Sequence, residues 1–112
     1  MISIFFSFVL TADNSANDYL LFSTEKGYLQ HVKKALQQGA SVNSKDYFRR
    51  TPLMYAVISG NEEIVNLLFL HGASANINTK DRDGNSALDY ARKMKFKKIE
   101  KILLEFGAAS QK

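Results

Sequence analysis

The chain has 112 residues, the length of a single domain, and its composition excludes several kinds of protein. It contains no cysteine, so it has no disulfide framework, no thiol nucleophile and no zinc site built on thiolates. Its formal net charge of +4 permits acidic partners but does not require them.

The N-terminal part, residues 1–16, is predicted to be an apolar segment and a linker that precede a folded domain at residues 17–112. Residues 2–10, ISIFFSFVL, carry no charge and are too few to span a bilayer, which takes about 20 apolar residues. We therefore expect no stable membrane insertion. The small polar residues 11–17 predict a linker or a cleavage zone.

Two interpretations of the apolar segment stay open. It has the pattern of the apolar centre of a secretory signal, although the basic leader of such a signal is missing. It could equally cover an apolar end of the folded domain. The first interpretation makes the protein an exported one, either periplasmic or secreted, and the second makes it cytoplasmic. Both locations are expected possibilities.

The middle of the chain predicts two short antiparallel helices, at residues 52–59 and 62–70. Thr51 suits the N-cap of the first helix, because its hydroxyl can accept a hydrogen bond from a backbone N–H group that lacks a partner. Gly60 suits the end of this helix, since glycine adopts the left-handed conformation without a clash. Asn61 can then cap the second helix. The apolar faces at helical spacing are Leu53, Ala56 and Val57 on the first helix, and Ile64, Leu67 and Leu68 on the second.

The same pattern occurs upstream and downstream of this pair. Helices are expected at residues 18–26 and 28–37, and again at residues 87–94 and 97–106. The chain therefore divides into three repeats, at about residues 17–45, 46–80 and 81–109. The matched residues include Asp46 with Asp81, Thr51 with Ser86, Leu20 with Leu53 and Leu88, Gly27 with Gly60, and Gly39 with Gly72 and Gly107.

A repeat of about 33 residues with a Thr-Pro-Leu start, here residues 51–53, resembles the ankyrin repeat. The resemblance covers roughly residues 17–109. It implies an all-α solenoid of antiparallel helix pairs, joined by extended or β-hairpin-like loops at residues 39–51 and 72–86. Three repeats are about the minimum for a stable stack, since each repeat buries its apolar face only against its neighbours.

Several residues depart from the ankyrin pattern. Lys95 stands at the position of a turn glycine, and Arg49 stands at the position of the hairpin glycine. Met54 and Asp89 stand where the family usually has histidine, so the hydrogen bond of that ring is absent or replaced. The second loop is longer than standard by two residues, an insertion that we assign to residues 77–78.

The chain shows no pattern of a catalytic or metal site. His31 and His71 occupy unlike positions of different repeats, and neither has a partner at the spacing of a triad or of a helical metal pair. Residues 81–85, DRDGN, begin like a calcium-binding loop, but Arg92 stands where the bidentate glutamate belongs. We therefore expect no enzymatic activity, no metal and no cofactor.

The last repeat carries a run of basic residues between Arg92 and Lys101. No Arg-rich or aromatic-interleaved surface accompanies this run. On a helix pair these charges point in several directions, which is typical of a solvated terminal face. We therefore expect no nucleic-acid binding.

In the ankyrin family, the hairpin tips and the exposed side of each first helix line a concave face that binds other proteins. The resemblance assigns this face, on the present sequence, to Tyr47, Phe48, Arg50, Tyr55, Ile58, Arg82, Asn85, Tyr90 and Met94, with Phe22, Glu25, Lys26, Ser59, Asp83 and Lys93 beside them. Tyr and Arg are the residue types that most often anchor interfaces. Tyr47 and Phe48 could instead pack on the neighbouring hairpin.

The sequence therefore predicts a non-enzymatic module that binds another protein through its concave face, as a scaffold does. The alternative is a structural or inhibitory subunit that is permanently bound to an enzyme encoded nearby.

Overall fold

The computed structural model describes residues 15–109, and all the regular secondary structure in this range is helical. The predicted apolar segment at residues 2–10 lies outside the described range, as do residues 110–112. In chain order the helices are α1 at residues 15–26, α2 at Leu29–Gln37, α3 at Pro52–Ile58, α4 at Glu62–Leu70, a 3-10 helix at Ala73–Asn76, α5 at Ala87–Lys93 and α6 at Lys97–Glu105. The predicted all-α class is confirmed.

Side-chain caps fix where the helices of the middle repeat begin. Thr51 Oγ1 accepts a hydrogen bond from the Met54 N–H group, with 3.2 Å between oxygen and nitrogen. Asn61 Oδ1 accepts one from the Ile64 N–H group at 3.0 Å. Both predicted caps are therefore confirmed, and each satisfies a backbone donor that has no partner inside its helix.

Helix α5 begins with a reciprocal pair of hydrogen bonds. Ser86 Oγ accepts from the Asp89 N–H group at 3.2 Å, and the Asp89 carboxylate accepts from the Ser86 N–H group at 2.8 Å. This arrangement is a capping box. Asp89 thus replaces the hydrogen bond that the family usually makes with a histidine.

The helix pairs stack in two layers. In the layer of first helices α3 packs on α5, and in the layer of second helices α4 packs on both α2 and α6. The apolar faces of all the pairs merge into one core, in which equivalent leucines of each repeat are buried. Every repeat depends on its neighbours for this burial, so we expect the repeats to stabilise one another. The buried leucines are Leu20, Leu53 and Leu88 in the first helices, and Leu68 and Leu103 in the second helices.

The last repeat has a polar pair where the middle repeat is apolar. Arg92 and Glu100 stand at the positions of Val57 and Val65, which are fully buried. Arg92 Nε and Glu100 Oε2 form an ion pair at 3.0 Å. The polar outer side required of a terminal solenoid repeat is therefore provided by this pair.

The predicted linker was wrong at its C-terminal end. Residues 15–17 are helical, and Ala16 is buried. Asn17 Oδ1 also accepts a hydrogen bond from the Ser41 N–H group at 2.8 Å. These contacts attach the start of α1 to the loop that follows α2, which a linker would not do.

The predicted site of the two-residue insertion was also wrong. Ile77 lies in the hydrophobic core, as Val42 does in the loop of the first repeat. The extra residues are instead taken up by the 3-10 helix at Ala73–Asn76. The apolar side chain keeps its core position, and the 3-10 helix before it absorbs the added length.

The turn between α5 and α6 keeps the geometry of the other repeats although it lacks glycine. Lys95 has φ 61°, close to the φ of 70° at the equivalent Gly60. Arg49, at the position of the hairpin glycine, also has φ 61°. A side chain in this left-handed conformation costs on the order of 1 kcal/mol.

We expect Leu68→Ala to lower the free energy of unfolding by about 2–5 kcal/mol, because it leaves a cavity between repeats. Leu70→Ala is the matched control in the same helix, since Leu70 is 83% exposed and its truncation should change stability by less than about 0.5 kcal/mol. Urea denaturation followed by circular dichroism measures both. Equal losses for the two variants would contradict the stacking described above.

We expect Lys95→Gly to raise the free energy of unfolding by about 1 kcal/mol, because glycine relieves the left-handed backbone. The control Lys98→Gly makes the same change inside α6 and should lower stability by about 1 kcal/mol. The sign of the change in the urea midpoint separates the two. A lower midpoint for Lys95→Gly would show that the turn stores no such strain.

Candidate functional site

Two aspartates each shape a hairpin-like loop between successive repeats. Asp46 Oδ1 accepts hydrogen bonds from the N–H groups of Phe48 at 2.9 Å and Arg50 at 3.0 Å. The Asp46 N–H group also donates to the Arg50 carbonyl at 3.1 Å. The carboxylate therefore holds the loop at residues 46–50 closed, and the loop is hairpin-like as predicted.

Asp81 does the same in the next loop. Its Oδ1 accepts from the N–H groups of Asp83 and Asn85, each at 3.0 Å, and its own N–H group donates to the Asn85 carbonyl at 3.0 Å. The Arg82 N–H group donates to the Phe48 carbonyl at 3.0 Å, which joins the two hairpins side by side.

Each aspartate is also bound by a tyrosine of the first helix that follows it. The Tyr55 hydroxyl donates to Asp46, and the Tyr90 hydroxyl donates to Asp81. Burial, followed by the hydrogen bond to Asp46, raises the pKa of Tyr55 to about 12. The pKa of Tyr90 is raised by burial and by its bond to Asp81. Both phenols therefore stay protonated near neutral pH and hold the hairpins over the helices.

Arg50 links the two hairpins. Its Nε lies 3.2 Å from Asp81 Oδ2, and its Nη2 lies 3.4 Å from Asp83 Oδ2. The guanidinium carbon also lies 5.6–6.0 Å from the ring centroids of Phe48, Tyr55 and Tyr90, within the range of cation–π contacts.

The Arg50–Asp81 pair is partly shielded from solvent, because the Asp81 side chain is 1% exposed and that of Arg50 is 27% exposed. Burial by itself lowers the pKa of Arg50, but its hydrogen bond with Asp81 contributes to a net rise. Burial by itself raises the pKa of Asp81, but hydrogen bonds from Tyr90, the Asn85 backbone and Arg50 lower it below its usual value. Both groups are therefore charged at neutral pH.

Two aromatic side chains stand out from this framework. Tyr47 is 79% exposed and Phe48 is 53% exposed, with their rings edge to face at 5.6 Å. Arg82 Nε donates to the Tyr47 carbonyl at 2.6 Å, and the Arg82 guanidinium carbon lies 5.1 Å from the Tyr47 ring centroid. We call Tyr47, Phe48 and Arg82 the aromatic ridge. Its aromatic residues contact the neighbouring hairpin and still present most of their surface to solvent.

The remaining predicted site residues lie on or beside the first helices. Asn85 Oδ1 accepts a hydrogen bond from Lys93 Nζ at 2.8 Å, which ties the second hairpin to the end of α5. Ile58 is half-buried at the end of α3, and Met94 follows α5 with 42% of its surface exposed. Tyr55 is only 8% exposed, so it offers little surface to a partner.

The structure adds two residues that the sequence analysis did not assign to the site, Asp46 and Asp81. Each lies nine positions before the tyrosine that binds it. The recurrence of an Asp and a Tyr at this spacing in successive repeats was the available signal. It shows that the hairpins are positioned by an aspartate and a tyrosine in both repeats.

None of the helices within residues 15–109 is both long enough and apolar enough to cross a membrane. Within the same residues, no group of three or more histidine, cysteine or acidic side chains could hold a metal ion.

A family model described as three copies of the ankyrin repeat matches residues 20–111. The chain belongs to the ankyrin repeat family. Ankyrin repeats are generally protein–protein interaction modules, and the family is generally non-enzymatic. The helix pairs and hairpin-like loops described above are those of three ankyrin repeats.

Relatives of this ankyrin chain occur in proteins of different kinds. The potassium channel GORK of Arabidopsis thaliana is 39% identical over 88 residues, which are 79% of this chain and 10% of the channel. An ankyrin repeat protein of fowlpox virus is 48% identical over 56 residues, 50% of this chain and 8% of the viral protein. The ankyrin repeat protein YahD of Escherichia coli is 34% identical over 90 residues, 75% of this chain and 44% of YahD. The chain thus spans less than half of the length of each of these relatives.

We expect Asp81→Asn to lower the free energy of unfolding by about 1–3 kcal/mol, because it removes the shielded one of the two carboxylates that pair with Arg50. The matched control is Asp46→Asn. Asp46 has equivalent backbone and tyrosine contacts but no ion pair within the described residues, so this variant should lose less. Urea denaturation at pH 7 measures both, and equal losses would contradict a contribution from the ion pair.

The same variant should change the response to acid. Since the pKa of Asp81 is lowered from 3.8 in the folded state, its contribution is complete above that value and is lost as the pH falls through the lowered pKa. The decline of stability below pH 4 should therefore be shallower in Asp81→Asn than in the wild type.

Proposed function

We propose that this chain binds another protein through the aromatic ridge and the adjoining side of the first helices. The observation that carries the proposal is the exposure of Tyr47 and Phe48 at 79% and 53%, on a loop that the half-buried Asp46 carboxylate holds closed. Large aromatic side chains gain free energy when a partner covers them, and Tyr and Arg are common anchors of interfaces.

The framework below the ridge supports binding because it is already ordered. Asp46 closes the hairpin that carries Tyr47 and Phe48, and Arg82 holds the Tyr47 carbonyl from the neighbouring repeat. A preformed surface loses less conformational entropy when it binds than a mobile loop does. Burial of the exposed rings by a partner is therefore opposed by a smaller loss of entropy.

The predicted site residues take different roles in this proposal. Tyr47, Phe48 and Arg82 form the contact surface. Arg50, Tyr55 and Tyr90 are positioning residues, because their polar groups bind Asp46 or the pair Asp81 and Asp83 inside the molecule. The face is extended by Asn85 on the second hairpin, and by Ile58 and Met94 at the ends of α3 and α5.

The double variant Tyr47→Ala/Phe48→Ala tests this assignment. We expect it to stay folded and to bind its partner at least about tenfold more weakly, because truncation of central aromatic residues typically costs more than 1 kcal/mol each. The partner is first captured from the native cell by cross-linking to the wild-type chain, then purified and titrated against both forms.

The matched control is Leu70→Ala/Leu104→Ala, which removes two other exposed apolar side chains, 83% and 43% exposed. This control should bind like the wild type. If the control loses the partner while the Tyr47→Ala/Phe48→Ala variant retains it, binding uses the outer helices and the proposal is wrong.

A further inference from the structure

We propose that the aromatic ridge recognises an acidic, extended segment of a partner protein, in which carboxylates accompany at least one apolar or aromatic side chain. This inference rests on the proposed function and adds the chemistry of the partner. It is based on a difference between the charged side chains of the hairpin surface: the acidic ones are bound within the molecule, and the basic ones are exposed and form no ion pair within the described residues.

The acids of the two hairpins are all engaged inside the molecule. Asp46 binds two backbone N–H groups and Tyr55, and Asp81 binds two backbone N–H groups, Tyr90 and Arg50. Asp83 is 71% exposed in its side chain but pairs with Arg50 at 3.4 Å. The carboxylates of these hairpins therefore act mainly within the molecule, where they stabilise the hairpins themselves.

The bases of the same surface are engaged differently. Lys45, Arg49, Arg82 and Lys93 are all exposed, and none forms an ion pair within the described residues. Lys93 and Arg82 do make hydrogen bonds, but their acceptors are the neutral Asn85 side chain and the Tyr47 carbonyl. The hairpin surface thus presents positive charge that no carboxylate of its own offsets.

Arg82 is the base best prepared to receive a carboxylate. Its Nε is used by the Tyr47 carbonyl, and this bond fixes the guanidinium beside the Tyr47 ring. Within the described residues, its two Nη groups form no hydrogen bond or ion pair. A carboxylate bound there would lie next to an exposed aromatic ring, which accounts for the apolar side chain in the proposed segment.

The arrangement of the hairpins favours an extended segment. The two tips are adjacent, since the Arg82 N–H group donates to the Phe48 carbonyl at 3.0 Å. An extended chain has side chains on alternate sides, so it can place carboxylates toward the bases and an apolar group toward Tyr47 and Phe48. A nucleic acid fits less well, because its continuous negative charge would meet the exposed carboxylate of Asp83.

The test uses the purified chain and a phage-displayed library of random dodecapeptides, and each recovered peptide is then titrated against both the wild type and Tyr47→Ala/Phe48→Ala. We expect the recovered peptides to be enriched in Asp and Glu together with an aromatic or aliphatic residue. Their synthetic forms should bind more weakly as salt rises, because exposed charges are screened. A labelled single-stranded oligonucleotide serves as a second probe.

Matched charge variants locate the effect. Arg49→Gln/Lys93→Gln removes two positive charges from the hairpin surface, and Lys98→Gln/Lys101→Gln removes two from the exposed side of α6. We expect about tenfold weaker peptide binding at low salt for the first pair and less than about twofold for the second, since charges next to a site act most strongly on association.

The outcomes separate this inference from the proposed function. Peptides that depend on Tyr47 and Phe48 but carry no acidic excess would overturn the inference and leave the proposed function intact. Equal losses for the two charge variants, or a selection that enriches no peptide, would also overturn the inference. An oligonucleotide that binds as tightly as the peptides, with the same dependence on Arg49 and Lys93, would replace the acidic segment by a nucleic acid. Peptides that bind Tyr47→Ala/Phe48→Ala unchanged would contradict the proposed face itself.

Discussion

The carboxylate of Asp81 is the contact on which the rest of the candidate surface depends. One of its oxygens accepts from the N–H groups of Asp83 and Asn85, and the other accepts from the Tyr90 hydroxyl and the Arg50 guanidinium. A side chain that is 1% exposed thus closes its own hairpin, anchors that hairpin to α5 and joins it to the preceding repeat. A charged side chain is buried in a protein only where its polar atoms are paired in this way. Loss of a partner would leave a buried charge less well compensated and would lower the stability of the fold.

The exposed part of the surface follows from this buried part. Arg50, fixed by Asp81, lies against Phe48, Tyr55 and Tyr90, and Arg82 in the next hairpin holds Tyr47. Apart from Arg82, which itself belongs to the aromatic ridge, the rings at the tip are therefore positioned by groups that a partner does not need to touch. This division explains how a thin stack can present large aromatic side chains to solvent in a defined arrangement. It also explains the charge of the surface, because the acids are used within the framework while most of the bases remain outside it.

The ends and turns of the stack show where the repeat pattern gives way to other requirements. Arg92 and Glu100 replace two valines that are buried in the middle repeat, and their charges suit the outer side of a terminal repeat. Lys95 keeps the left-handed turn of Gly60 even though a lysine side chain is strained there. In each case the backbone geometry of the repeat is retained and the side chain changes. The stacked helices share one core and hold these residues in a geometry that their own conformational preferences do not favour.

The sequence by itself determined the features that depend on near neighbours along the chain. The helix boundaries were predicted to within a few residues, and the caps at Thr51 and Asn61 were identified, because a cap is a contact over three positions. Register with Gly60 also predicted the left-handed turn at Lys95. Tertiary structure decided the rest. Arg50 pairs with residues 31 and 33 positions away, and Tyr55, predicted to face a partner, is buried beneath its own hairpin. These contacts depend on how one repeat stacks on the next, and the spacing of residues within a repeat does not specify that arrangement.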